Sequence, residues 1–477
     1  MSASDDTDSL AELRALADII KTSVERIEQA VNAHSLAFPS PQTPFSPASE
    51  AARNLPEVVA AGSLITAAAS QLSTLVRPPP LTIISLAMQF HVSTAVRTAV
   101  DTHVAETLRD AGPQGLHIKD IAKPTNADPG KLARILRLLA TNHVFVEVSP
   151  DVFAQNRLSS LLDSGKSVDS MLKSPETRFL GTLGFTAVIG HVTDEAFKSS
   201  SYLTETLLDP EFGHSAEPSK TAFNKAFNEE RDLWHFYERP GNEFRLSRFG
   251  SAMDGTKNLA PAGAILDGYD WHGLKEGALV VDCGGGVGSQ SLTLAMNHPH
   301  LRFIIQDRAP VVEEAVKFWN ENLPGVLESG RVKLQVHDFF SPQPVKNADV
   351  FLIRMILHDW SDEFSLKILR SLRSAATPDT RLVVVDQLMS YACEEEALKE
   401  IPGALLPVPP APLLPNLGQA SSIAYYTDLQ MMGFFNAQER TVTQVKELLA
   451  QAGWKLLAVH HGAPFAISSQ KAIAAPM

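Results

Sequence analysis

The sequence predicts an α/β fold, a doubly wound domain in its C-terminal half preceded by a mostly helical N-terminal part containing a winged helix. Three observations carry this. An apolar strand, Ala278 to Val281, runs into Asp282 and the glycine-packed turn Cys283-Gly284-Gly285-Gly286-Val287-Gly288, and a helix-compatible segment, Ser289 to Met296, follows at once. Further apolar runs then alternate with helical stretches at βα spacing. Upstream the apolar spacing is helical, interrupted by one strong turn signal between two short strand-like runs.

At 477 residues the chain exceeds the usual single core, so two or three domains are expected. Its 44% hydrophobic and 20% charged residues are ordinary globular composition. A net charge of −13 argues against non-specific nucleic-acid or anionic-membrane partners, which need excess Lys and Arg. Of the two cysteines, Cys283 and Cys393, one sits in the glycine turn, so a structural disulfide is not expected and a reducing compartment fits. Met1 to Leu16 is acidic and lacks the order of a signal peptide. The most apolar stretch, Val58 to Ala69, is too short and too rich in small residues to span a bilayer. A soluble, cytoplasmic protein is the default expectation.

Four segments follow: an N-terminal helical extension (1–79), a winged helix (80–164), a helical connector (165–275) and the α/β domain (276–477). In the extension, Leu10, Leu13, Leu16, Ile19, Ile20, Val24 and Ile27 have helical spacing. Ser40 to Ser49 is a Pro/Ser linker, and a second helix, Leu55 to Leu75, ends at Pro78-Pro79-Pro80. In the next segment Ile118–Ala122 and Pro129–Leu139 have a helix-turn-helix rhythm, with Asp128 as N-cap and Pro129 at the first helical position. Phe145–Val148 and Val152–Ala154 flank the turn Ser149-Pro150-Asp151. Lys131, Arg134 and Arg137 do not form the dense basic face of a DNA reader, so the wing is read as structural or dimerising. The connector holds the densest aromatic cluster, Phe223, Phe227, Trp234, Phe236 and Tyr237, which suits core packing and a roof for an aromatic ligand.

In the α/β domain the predicted strands are Leu279–Val281, Arg302–Gln306, Val332–Val336, Val350–Met355 and Arg381–Val385. Ligands of such sheets bind beyond the carboxyl ends of the strands. A dinucleotide fingerprint needs a glycine three positions after Gly286, where Ser289 stands. The D-x-G-x-G-x-G form of Asp282, Gly284, Gly286 and Gly288 suits a nucleoside without a pyrophosphate, such as S-adenosylmethionine. Asp307, at the second strand's end, is placed to accept hydrogen bonds from ribose hydroxyls. After the third strand, Asp338 offers a carboxylate for an adenine amino group and Phe339 an aromatic face. His358 follows the fourth strand at the ligand edge, just before Ser361, a good N-cap, and Asp386 follows the fifth.

Together Asp282–Gly288, His358-Asp359-Trp360-Ser361-Asp362 and Glu439-Arg440-Thr441 resemble the two-domain S-adenosylmethionine-dependent O-methyltransferases, which include plant caffeate and fungal sterigmatocystin-type enzymes. The resemblance covers roughly residues 80 to 465. It implies that the winged helix is a dimerisation domain and that the protein is a homodimer. It also implies that His358 is the general base flanked by Asp386 and Glu439. Asp282, Gly284, Asp307, Asp338, Phe339 and Arg354 would contact S-adenosylmethionine, joined by Gly286 of the same turn, while Trp360 and Met431 would line the acceptor pocket. The implied reaction is O-methylation of a small phenol, of polyketide or lignin type. Asp386 stands where plant members carry Glu, and Arg354 where Lys is usual. The stretch Cys393 to Ser422, with prolines at 402, 407, 409, 410, 412 and 415, is longer than in plant relatives, and would be a lid or a flexible insert. Two rival classes are an NAD-dependent oxidoreductase, opposed by Ser289, and a winged-helix regulator using the fold as a ligand sensor, opposed by the presence of His358, Asp386 and Glu439.

Overall fold

The computed structural model describes residues 9–257, 263–462 and 470–477. The first eight residues, with most of the acidic N-terminal stretch, lie outside the described residues. The chain forms two compact units. The first comprises residues 1–202, 233–259 and 411–413, and the second residues 203–232, 260–410 and 414–477.

In the first unit, helices Ser9–Ala33 and Pro56–Val76 pack on each other. Leu16, Ser23 and Ala30, seven residues apart, form the buried stripe of the first helix, whereas Leu10 and Val24 face outward. The second helix is 21 residues long and, by length and composition alone, apolar enough to cross a membrane, so the length argument made from Val58–Ala69 does not hold. Its Val58, Ala61, Leu64, Ala67 and Ala68 are buried in the fold. Helix Pro79–Met88 is different. None of its residues is buried, and Leu81, Ile83, Ile84, Leu86 and Met88 are all more than half exposed.

The winged helix forms as read. Helices Ile118–Ala122 and Pro129–Thr141 pack together, and Asp128 Oδ1 accepts from Lys131 N at 2.8 Å. Strands β1 (Leu116–His117), β2 (Val146–Ser149) and β3 (Val152–Ala154) pair in the order β1-β3-β2. Arg137 turns onto its own wing, with Nη2 2.7 Å from Glu147 and 2.9 Å from Asp151. One of the three basic residues of the second helix is thereby neutralised within the fold.

The second unit holds the main sheet, built from β4 (Leu279–Cys283), β5 (Arg302–Asp307), β6 (Val332–Val336), β7 (Val350–Arg354) and β8 (Arg381–Asp386), all parallel. A two-residue parallel ladder pairs β9 (Leu388–Met389) with β10 (Arg440–Thr441). Strands β11 (Trp454–His460) and β12 (Gln470–Pro476) complete a seven-stranded order β11-β12-β8-β7-β4-β5-β6, with β12 antiparallel to both neighbours. The five parallel strands were predicted within a residue or two; β11 and β12 were not. β12 reads Gln-Lys-Ala-Ile-Ala-Ala-Pro, and its alanines and lysine carry little strand preference, so pairing with β8 decides its state.

Helices cover both faces of the sheet. Ile368, Leu369 and Leu372 pack with Val445, Leu448 and Leu449 on one side. Leu294, Ala315 and Trp319 pack on the other. A doubly wound sheet of this kind leaves the carboxyl ends of β4 to β8 as its ligand edge.

Candidate active site

The glycine turn after β4 is shaped by its neighbours. Gly284 has φ +72°, a backbone strained for any other residue, and a Cβ there would lie 2.5 Å from Ile356 Cδ1, which would have to move. The turn is held by main-chain bonds from Gly284 N and Gly285 N to Gln306 O at 2.8 and 3.1 Å. Gly286 N donates to Asp307 Oδ2 at 2.8 Å, which joins the turn to the end of β5. Trp319 Nε1 donates to Val287 O at 2.9 Å and closes it from below. Asp282 is buried and accepts from Ser291 Oγ at 2.6 Å. Burial raises its pKa to about 6, against the pull of the Ser291 hydroxyl and the Arg354 charge. Asp338 is exposed and accepts from Phe340 N at 3.0 Å.

The structure thus brings Asp282, Gly284, Gly286, Asp307 and Phe339 to one turn, with Ile356, Ser291 and Trp319 as partners that sequence reading missed. A glycine-lined cradle, a half-buried carboxylate and an aromatic ring suit a nucleoside without a pyrophosphate. Trp360 has its ring among Phe340 (4.7 Å), Phe364 (5.8 Å) and Phe339 (6.0 Å), so its visible contacts are those of an aromatic wall behind Phe339.

The second constellation lies past β7 and β8. Met355 adopts φ +53°, a left-handed conformation uncommon for a non-glycine residue, and turns the chain out of β7 into the one-turn helix Leu357–Asp359. His358, on that turn, is buried. Its Nδ1 lies 2.8 Å from Glu439 Oε1, and its Nε2 lies 3.5 Å from Asp359 Oδ1. Asp386, the last residue of β8, adds a third carboxylate that acts on the ring through charge rather than through a direct bond. Burial alone would depress the imidazole pKa, but Asp359, Glu439 and Asp386 outweigh it and lift His358 to about 10. Asp386 itself is raised to about 6 by burial, opposed by His358.

Two carboxylate oxygens here, Asp386 Oδ1 and Glu439 Oε2, are buried with no hydrogen bond among the described residues. Arg354, at the end of β7, feels both Asp282 and Asp386, and burial lowers its pKa.

Arg440 entered the sequence reading only as part of the Glu439-Arg440-Thr441 stretch, with no role of its own. It is buried, and its guanidinium donates to Leu357 O (2.6 Å), Trp360 O (2.8 Å), Ser365 Oγ (3.2 Å) and Asp362 Oδ1 (2.9 Å). It therefore clamps the backbone on both sides of His358. Ser361 occupies the N-cap position of helix Asp362–Ala375, but its hydroxyl makes no capping bond. Glu439 is fixed in turn by its own N–H, which donates to Asp428 Oδ1 at 2.8 Å from helix Ser422–Phe435. Met431 is buried on that helix, which touches the Leu357–Asp359 turn.

The predicted aromatic residues make ring contacts within each unit. Phe223 stacks on Phe227 at 4.9 Å and meets Phe434 edge-on at 6.1 Å, all in the second unit. Trp234 and Tyr237 pack on Phe249 at 5.5 and 5.1 Å in the first. The Pro-rich stretch is not loose at its start. Ile401 and Ala404 are buried in the core beside β8, and Pro402 O accepts from Val459 N at 2.9 Å. Gly403 has φ +75°, and a Cβ there would lie 2.1 Å from Val459 O.

Residues 84–164 match the model of an O-methyltransferase dimerisation domain, and residues 212–455 that of an O-methyltransferase domain. An O-methyltransferase of Armillaria gallica is 44% identical over 94% of this chain and 95% of its own length. A protein of Phanerochaete chrysosporium named 4-O-methyltransferase 1 is 42% identical over the same shares. Among solved structures, the mitomycin 7-O-methyltransferase MmcR superposes with a TM-score of 0.62 at 24% identity, over 86% of this chain and 99% of that one. A nucleoside cradle and a buried histidine at the ligand edge of one sheet, on a chain that matches these relatives along nearly all its length, lead to one conclusion: the chain belongs to the O-methyltransferase family.

Proposed function

We propose that this protein methylates a phenolic hydroxyl of a small aromatic acceptor, of polyketide or lignin type, using S-adenosylmethionine and His358 as general base. One observation carries the reading: a single buried histidine at the ligand edge of the sheet is surrounded by three carboxylates. S-adenosylmethionine would supply an electrophilic methyl group with a neutral leaving thioether. Asp282, Gly284, Gly286, Asp307, Asp338, Phe339 and Arg354 would hold it, with Asp307 at the ribose and Phe339 at the purine. Asp386 and Glu439 orient His358 and stabilise the imidazolium formed when it takes the acceptor's proton. Trp360 and Met431 would border the acceptor.

The acceptor class follows from proton affinity. A phenol has a pKa near ~10 and free imidazole one near ~6.5, so an ordinary histidine would remove the proton uphill. Lifting His358 to about 10 makes that transfer nearly even. An aliphatic alcohol, closer to water at ~15.7, would remain far uphill.

Only the neutral imidazole can accept a proton. The acid limb of kcat/KM is therefore expected above pH ~6.5, the ordinary histidine value, with activity rising toward alkaline pH. Glu439→Gln should move that limb downward, and a pH–rate profile of both proteins with labelled S-adenosylmethionine and a phenol panel tests this. A wild-type limb at the ordinary value would remove the three-carboxylate argument, and no transfer to any phenol would remove the acceptor class.

The segments 1–79, 80–164, 165–275 and 276–477 are proposed as extension, dimerisation domain, connector roofing the acceptor site and catalytic domain of a cytoplasmic homodimer without nucleic-acid or membrane partners. The uncovered apolar helix Pro79–Met88, at the start of the matched dimerisation domain, supports the dimer. Ile84→Glu is expected to shift the protein toward monomer in light scattering, and an unchanged mass would place the interface elsewhere.

A further inference from the structure

The loop after β6 carries Asp338 and Phe339, and two neighbouring residues of β5 fasten it at both ends. At its start, His337 N donates to Asp307 O at 3.0 Å. At its end, Gln343 meets Gln306 in a reciprocal pair of side-chain amide bonds. Gln306 Nε2 donates to Gln343 Oε1 and Gln343 Nε2 to Gln306 Oε1, each at 2.8 Å. Both glutamines are 1% exposed, so the pair lies out of reach of solvent. Its remaining bonding capacity is used within the fold. Gln306 Nε2 also donates to Gln335 Oε1 at 2.8 Å, and Gln343 Oε1 also accepts from Val345 N at 3.1 Å. Cys283 Sγ lies 3.4 Å from Gln306 Oε1 and 3.6 Å from Gln343 Nε2.

Gln306 also serves the glycine turn, since its main-chain oxygen is the one that accepts from Gly284 N and Gly285 N. Phe339 borders that turn: a Cβ on Gly284 would lie 3.5 Å from Phe339 Cε1. One residue thus grips the turn through its backbone and the aromatic loop through its side chain. Leucines at both positions would fill the same space with no polar group to satisfy. What they would not supply is a directional link that fixes how far the end of the loop stands from β5. A fully satisfied buried amide network supplies it, because each bond constrains the others.

We infer that Gln306 and Gln343 are positioning residues for S-adenosylmethionine: their amide pair sets the spacing between the glycine turn and the Phe339 loop, and with it the affinity for the cofactor. This deepens the assignment of Asp307 and Phe339 to the nucleoside and rests on it. The pair acts on the cradle and not on the carboxylates around His358, so its effect falls on cofactor binding rather than on methyl transfer once the cofactor is bound.

Gln343→Leu removes both amide bonds and leaves the carbonyl of Gln306 in place. It should raise the calorimetric Kd for S-adenosylhomocysteine and the KM for S-adenosylmethionine by roughly five- to thirty-fold, with kcat at saturating cofactor within about two-fold of wild type. Gln343→Asn keeps an amide on a shorter stem and should recover part of that affinity; it also decides the matter if the leucine variant does not fold. Gln335→Leu is the control. It removes a bond of the same length to the same Gln306 Nε2, but its backbone is already paired opposite Gln306 in the sheet, so affinity should hold. Equal losses in Gln335→Leu and Gln343→Leu would reduce the network to core stability and overturn the inference. Unchanged affinity in the Gln343 variants, or a fall in kcat without a rise in KM, would do the same. Asp307→Ala and Phe339→Leu, measured alongside, separate the two layers. If both bind the cofactor as wild type does, the nucleoside assignment itself falls; if they weaken binding and the Gln343 variants do not, only the positioning role falls.

Discussion

Replacing His358 with glutamine is expected to lower kcat by about 10²–10⁴-fold, the usual contribution of a positioned proton acceptor. Affinity for S-adenosylmethionine should stay within a few-fold. The two effects separate because the groups are separate. The proposed nucleoside cradle is the β4 turn with Asp307 and Phe339, whereas His358 is held by Glu439 and by the Arg440 clamp. Glutamine can still hydrogen-bond to Glu439 but has no basic nitrogen, so the loss reports proton transfer rather than packing. Single-turnover kinetics and calorimetry together check the point. A folded variant that no longer binds the cofactor would show that His358 belongs to the cradle instead.

The largest effect on stability is expected at Arg440. Its guanidinium satisfies the buried Leu357 carbonyl, the half-buried Trp360 carbonyl, the buried Ser365 hydroxyl and the exposed Asp362 carboxylate. Arg440→Ala leaves the Leu357 and Trp360 carbonyls without that donor, at roughly 1–3 kcal/mol for a buried group so orphaned, while the exposed Asp362 loses little. The turn carrying His358 would also lose its anchor, so activity should fall further than the loss of folded protein explains. Arg440→Lys should recover charge but not the forked geometry, and so only part of both losses. Denaturant unfolding of the three proteins decides. Wild-type stability in Arg440→Ala would mean that main-chain packing alone holds the turn.

Much of this site was legible before the fold was known, because its parts lie at strand ends and a strand's end is a local property. Asp282, the glycines, Asp307, His358 and Asp386 all follow short apolar runs bounded by turn residues. What escaped depends on the fold. Ser291 and Trp319 reach the glycine turn from helices whose composition gives no hint of it. Arg440 looks like any surface arginine beside a glutamate until the Leu357–Ser365 backbone wraps it. Asp359 was noted only as the neighbour of His358, since sequence cannot say that its carboxylate faces Nε2.

The parallel ladder of β9 and β10 has a consequence for how this enzyme can change. Arg440 pairs with Leu388 and Thr441 with Met389, so main-chain bonds fix the segments that follow Asp386 and Glu439 in one register. The geometry of the carboxylates around His358 is thereby insulated from the length of chain between them. Lengthening such a connection is cheap, about 0.6 kcal/mol for each doubling. Ile401, Gly403 and Ala404 stay packed against the core and β11, so the connection can change length in its exposed residues 405–408 without disturbing the register of the carboxylates around His358.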